Sequence, residues 1–118
     1  MIFYICSIFI HWLCDFVLQD GDIGSDTEKN YKLIHVLYYS FIFPVCTWFM
    51  WLVGLDCSFL NFALYSLICV VTHGIVDYML IPVLYHYKAN TKMLGLAWAL
   101  DQVIHIAIIL IALNQLML

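Results

Sequence analysis

The sequence predicts an all-α polytopic membrane protein, a four-transmembrane-helix antiparallel bundle with both termini on the non-cytoplasmic side. Three observations carry the prediction. Hydrophobic residues make up 66% of the 118 and charged residues 10%, with a mean hydropathy of +1.01, far from the usage of soluble domains. Four apolar runs, close to the ~20 residues a helix needs to cross the hydrocarbon core, alternate with short polar segments. Histidines and aspartates recur inside those runs four residues apart, the spacing that puts two side chains on one helix face.

The length fits one domain, 1–118, with helices expected at about 2–19, 32–54, 59–82 and 95–117. Ile2 to Leu18 is apolar except for Ser7, His11 and Asp15. It lacks a basic leader and a small-residue cleavage site, so it reads as a retained helix rather than a signal peptide. Gln19 to Lys32 is the wet segment, where Gly21, Gly24, Ser25 and Asp26 break any helix and Thr27-Glu28-Lys29-Asn30 offers the next start. Leu33 to Gly54 spans again, with Pro44 as a kink that neighbouring helices tolerate. Leu55 to Ser58 is a tight turn. Phe59 to Ile81 is the third span, stopped or bent by Pro82. Tyr85 to Leu94 reads as a polar loop carrying His86, Lys88, Asn90 and Lys92, and Leu96 to Leu116 is the fourth span.

Charge narrows the partners. With four lysines and no arginine there is no surface for nucleic acid. Four of the eight acids fall between Asp20 and Glu28, so the net charge of −4 belongs largely to one solvated loop. Four antiparallel spans gather Lys29, Lys32, Lys88 and Lys92 at one end, which the positive-inside rule makes cytoplasmic. Tyr31, Tyr85, Tyr87 and Trp98 suit that interface, and Trp48 and Trp51 the opposite one. The five cysteines form no C-x-x-C pair, and four lie in apolar runs; they read as small buried hydrophobes, not as a disulfide framework or zinc knuckle.

The polar residues of the spans are layered. Counted from the lysine-bearing end, Asp15, Asp77 and Asp101 lie about four residues in, and His11, His73 and His105 about eight; His35 is about four in from Tyr31. The order H-x-x-x-D, H-x-x-x-D, D-x-x-x-H reverses with the helix direction. Each acid therefore stays shallow and each paired histidine sits ~6 Å deeper. An ionisable side chain costs ~2.5–3.5 kcal/mol at a membrane-helix centre on insertion scales, so seven such residues at matched depth call for compensation by a partner, a proton or a metal. Imidazole nitrogen with carboxylate oxygen is the donor set of zinc first, with manganese or iron(II) as alternatives, and helical bundles build such sites from inward-facing i, i+4 pairs. The expected ligands are His11, Asp15, His35, His73, Asp77, Asp101 and His105, with Gln19 and Gln102 as outer hydrogen-bond partners. Three carboxylates balance two divalent ions and a bridging hydroxide; one ion would leave a negative charge to be neutralised.

Plainer readings stand beside these. Any single histidine here can be a hydrogen-bonded interhelical residue. His86 reads as a solvated loop side chain, Lys29 and Lys32 as orientation signals, and Gly74 as a point of close helix approach.

His11-x-x-x-Asp15-Phe16-x-x-Gln19, His35, His73-x-x-x-Asp77-Tyr78 and Asp101-Gln102-x-x-His105 together resemble the pattern of a small bacterial and phage membrane family catalogued as domain of unknown function 3307. The resemblance spans nearly the whole chain and implies a polytopic helical protein of phage or bacterial origin, hence an inner-membrane location; it brings no activity. A weaker similarity in site type is to membrane-bound metal-dependent hydrolases, but a chain without arginine lacks their arginine-containing histidine motif. Three functions follow as expectations. The first is a membrane-embedded metal site, used to hydrolyse a lipid-like or amphipathic substrate from a cytoplasmic cleft. The second is an ion, proton or small-molecule transport protein; the outer halves of the spans hold little polar besides Ser7 to support a full pathway. The third is a noncatalytic phage-type protein that blocks or recruits a partner. The bilayer is the expected surrounding, with a homo-oligomer or membrane partner as further possibilities.

Overall fold

The computed structural model describes residues 2–17, 27–54 and 57–117. Every element in it is helical: α1 (Ile2–Trp12) continued by a π-helical turn (Leu13–Val17), α2 (Glu28–Gly54), α3 (Phe59–Tyr87) and α4 (Thr91–Leu116). Three of the four, α2, α3 and α4, are long and apolar enough to cross a membrane; Ile2–Val17 is shorter. Gln19, the Gly21–Asp26 breakers and Leu55-Asp56 of the expected turn lie outside the described residues.

The helices pack as a closed ring in which each touches its two neighbours: α1 on α2 and α4, α2 on α3, α3 on α4. Side-chain pairs fix the antiparallel register. From the lysine-bearing end, Lys32 lies over the Tyr78 ring and Tyr31 against Tyr85; deeper, Thr47 meets Ser66 and Trp51 meets Phe62. On the other seam, Phe16 meets Trp98, His11 meets His105, and Tyr4 donates to Asn114. The result is a rod of 46 × 22 × 20 Å.

An inward stripe repeating about every fourth residue makes this ring. In α2 it is Tyr31, His35, Tyr39, Phe43 and Thr47; in α3, Tyr65, Cys69, His73, Asp77 and Ile81. The outward faces are apolar too, with Phe41, Val53, Ile75 and Val103 well exposed, as in helices that cross a membrane or are covered by other apolar surface.

Two expectations of the sequence change here. Pro82 neither stops α3 nor marks its end: the helix runs on to Tyr87. The segment Tyr85–Leu94, polar in composition, is mostly helix. Its true connection is short and is closed by Asn90, whose side chain caps α4 by accepting from the Met93 N–H at 3.2 Å. His86 is thus an exposed residue of the last turn of α3, not of a loop. At the other end Ser58 caps α3 by accepting from the Asn61 N–H, and the Trp51 indole donates to the Cys57 carbonyl. Of the cysteines, Cys14 and Cys69 are buried and Cys6, Cys46 and Cys57 half-buried.

Candidate metal centre

All seven predicted His and Asp residues point into the ring and are 1–5% exposed. The π turn contributes to this placement. It holds Asp15 within five residues wound more loosely than an α-helix, and such turns recur at functional sites because they redirect one side chain without ending the helix.

Two imidazoles and two carboxylate oxygens converge at the α1–α2–α3 junction. His35 Nε2 lies 2.8 Å from Asp15 Oδ1 and 3.3 Å from Asp77 Oδ2. His73 Nε2 lies 3.4 Å and 3.0 Å from the same two oxygens. Ligands bound at 2.0–2.2 Å to a tetrahedral ion stand about 3.3 Å from one another, so these four separations have the size of the edges of such a site. The other oxygens of both aspartates face the α1–α4 seam. Asp77 Oδ1 is 3.4 Å from His105 Nε2, and Asp15 Oδ2 is 3.9 Å from His11 Nε2. Three triads of close donor atoms result: His11, Asp15, His105; Asp15, His35, His73; and His73, Asp77, His105. They overlap through Asp15, His73 and His105.

What these atoms do not do is equally informative. Asp15 Oδ1, Asp77 Oδ2, His73 Nε2 and His105 Nε2 are buried and make no hydrogen bond of acceptable geometry, despite neighbours at 2.8–3.4 Å. Buried polar atoms are nearly always satisfied, and leaving one without a partner costs ~1–3 kcal/mol.

Asp101 stands apart from the triads. Its Oδ2 faces His105 Nδ1 at 3.5 Å and accepts a hydrogen bond from Gln102 at 3.0 Å. Gln102 ties the seam together, donating to Asp15 Oδ2 at 2.8 Å while its carbonyl oxygen lies 3.2 Å from His11 Nε2. Gln19 lies outside the described residues. Sequence reasoning missed Tyr39, whose hydroxyl is 3.1 Å from His11 Nδ1 and whose ring stacks on His73 with centroids 3.4 Å apart. Its signal was present in the Tyr31, His35, Tyr39 spacing of α2. Gly74 does face α2, where a Cβ would sit 3.6 Å from Val36.

A protein-family model described as "Protein of unknown function (DUF3307)" matches residues 3–118, and the chain belongs to that family. No curated protein and no solved structure matches it.

Proposed function

Starting from a DUF3307 member with three helices long enough to span a bilayer, we propose a membrane-embedded metal protein. In this reading it holds two divalent ions, zinc before manganese or iron(II), with Asp15 and Asp77 as carboxylates shared between them. His35 and His73 serve one ion, and His11 and His105 the other. Asp101 facing His105 Nδ1, Gln102 donating to Asp15 and the Tyr39 hydroxyl at His11 Nδ1 would orient these ligands, in the way that outer partners fix metal-bound imidazoles and carboxylates. The observation that carries the proposal is the set of buried, unpartnered oxygens and nitrogens whose spacing suits an ion between them. The charges agree: two divalent ions, three aspartates and one hydroxide sum to zero.

A metal ion held by these residues would supply an activated water, the chemistry of ester or phosphoester hydrolysis. On that chemistry we assign the site to hydrolysis of a lipid-like substrate reached from the lysine-bearing face. That face is cytoplasmic by the positive-inside rule, with α1 as a fourth span and both termini outside. A second reading, proton or ion transfer, gains from hydroxyls deeper in the bundle, Tyr65 to Ser7 and Thr47 to Ser66, each at 3.3 Å.

Elemental mass spectrometry on detergent-purified wild type and Asp77→Asn tests the proposal. Two equivalents of metal in the wild type, falling below one in the variant, are expected. Metal-free, folded, monodisperse protein in both cases rejects the metal centre and makes proton-flux assays in liposomes the next step.

A further inference from the structure

A long groove runs down the outside of the α2–α3 seam from the lysine-bearing end, with a volume of about 1050 Å³. Small-molecule pockets span roughly 300–1,000 Å³. Its walls are apolar, formed by residues such as Leu33, Val36, Val70, Val71 and Ile75, and Ser40 spends its hydroxyl on the Val36 carbonyl at 2.7 Å. Gly74 lines the groove on the α3 side, where a Cβ would meet Val36 in ordinary contact at 3.6 Å. None of the seven cage residues lines it, although Val36, Gly74 and Tyr78 directly follow His35, His73 and Asp77 in the chain.

The mouth differs from the walls. Lys29 and Lys32, two of the four lysines of the chain, stand there, and among the described residues Glu28 is the acid that lines the mouth with them. Lys32 Nζ is held 4.8 Å above the Tyr78 ring and 3.1 Å from Glu28. That pair is partly exposed and of the kind an arriving anion readily displaces. Lys29 is exposed and has no ion pair among the described residues. From Lys29 to Ser40 the helix rises ~16 Å, about half the ~30 Å hydrocarbon core. A cationic mouth above an apolar trough one leaflet deep is complementary to one molecule: an anionic lipid.

We propose that this groove binds an anionic phospholipid of the bilayer, its phosphate between Lys29 and Lys32 and one acyl chain along Val36, Gly74 and Ser40. The inference goes beyond the metal centre and does not require it. Native mass spectrometry of protein equilibrated with equimolar phosphatidylglycerol and phosphatidylcholine in neutral detergent tests it. Wild type is expected to retain phosphatidylglycerol about tenfold over phosphatidylcholine. Lys29→Gln/Lys32→Gln, the first exposed and the second half-buried, is expected to bring the ratio near one, and Gly74→Leu to reduce retention of both lipids. Lys88→Gln/Lys92→Gln is expected to keep the wild-type ratio. Equal retention by the wild type, a preference that survives Lys29→Gln/Lys32→Gln, or competition by soluble glycerol phosphate as effective as by the lipid would each overturn the proposal. Repeating the measurement on chelator-treated wild type separates the two assignments, since the lipid preference persists there whether or not metal was ever bound.

Discussion

The two halves of the bundle solve the burial of polar groups in opposite ways. Away from the lysines, hydroxyls are paired: Tyr65 donates to Ser7, Thr47 meets Ser66 and also donates to the Phe43 carbonyl. Around them Phe43, Cys69, Ile109 and Leu113 form the main apolar core. Toward the lysines, the same ring encloses three carboxylates and four imidazoles, and every buried side-chain atom without a hydrogen-bond partner among the described residues belongs to that cage. A half that satisfies itself needs only packing. A half that leaves oxygens and nitrogens facing each other without hydrogen bonds has groups that could hold a metal ion. Because one helical ring builds both, the contrast arises from residue choice at equivalent stripe positions, not from a change of fold.

The largest test of the contrast is metal removal. A ligand present at about 1,000 times its Kd stabilises the folded state by ~4 kcal/mol. Chelation is therefore expected to lower the melting temperature of the wild type by several degrees while leaving Asp15→Asn, already deprived of a shared carboxylate, unmoved. An unchanged wild-type melting curve would mean that the cage closes on itself. Next in size is Leu113→Ala in the opposite half. Leu113 is fully buried, and the cavity is expected to cost about 3 kcal/mol, near the low end for buried leucines, because lipid tails remove much of the transfer component between helices in a bilayer. Metal content per folded molecule should stay at the wild-type value. A parallel loss of metal would show that the halves are one cooperative unit.

How much of this was legible beforehand follows the same division. The four helices and the inward His and Asp layers could be read because charge is rare in apolar runs, and its position relative to helix direction is informative. Tyr39 was overlooked since an aromatic among aromatics carries no contrast, although it lies one turn beyond His35. The paired hydroxyls of Thr47 in α2 and of Tyr65 and Ser66 in α3 were hidden likewise, set in apolar runs and paired only across the bundle. The stretch from Tyr85 to Leu94 misled because polarity marks where a helix leaves the apolar layer, not where it ends; Asn90 as a cap was the better signal. The π turn at Leu13–Val17 has no sequence signature of its own, since it depends on where Asp15 must point.

Gln102 sharpens the comparison at smaller amplitude. It contacts Asp15, Asp101 and His11 through its amide. Gln102→Leu keeps the volume and removes the orienting hydrogen bonds, so metal affinity is expected to fall about 10- to 100-fold, read by competition against a chromogenic chelator. Unchanged affinity would mean that packing alone sets the carboxylates.

The smallest effect belongs to Thr47. Its hydroxyl is shared between Ser66 at 3.3 Å and the carbonyls of its own helix, Phe43 at 2.9 Å and Pro44 at 3.1 Å. Thr47→Val keeps the shape and discards those bonds, and interhelical hydrogen bonds in membrane bundles average only ~0.6 kcal/mol. A cycle of Thr47→Val, Ser66→Ala and the double variant is expected to give a coupling of about that size by equilibrium unfolding in mixed micelles, with metal content constant throughout. A coupling of several kcal/mol would contradict the contrast from the other side: the hydroxyl pairs would then be a strongly interacting network, and the second reading, proton or ion transfer through the bundle, would be strengthened.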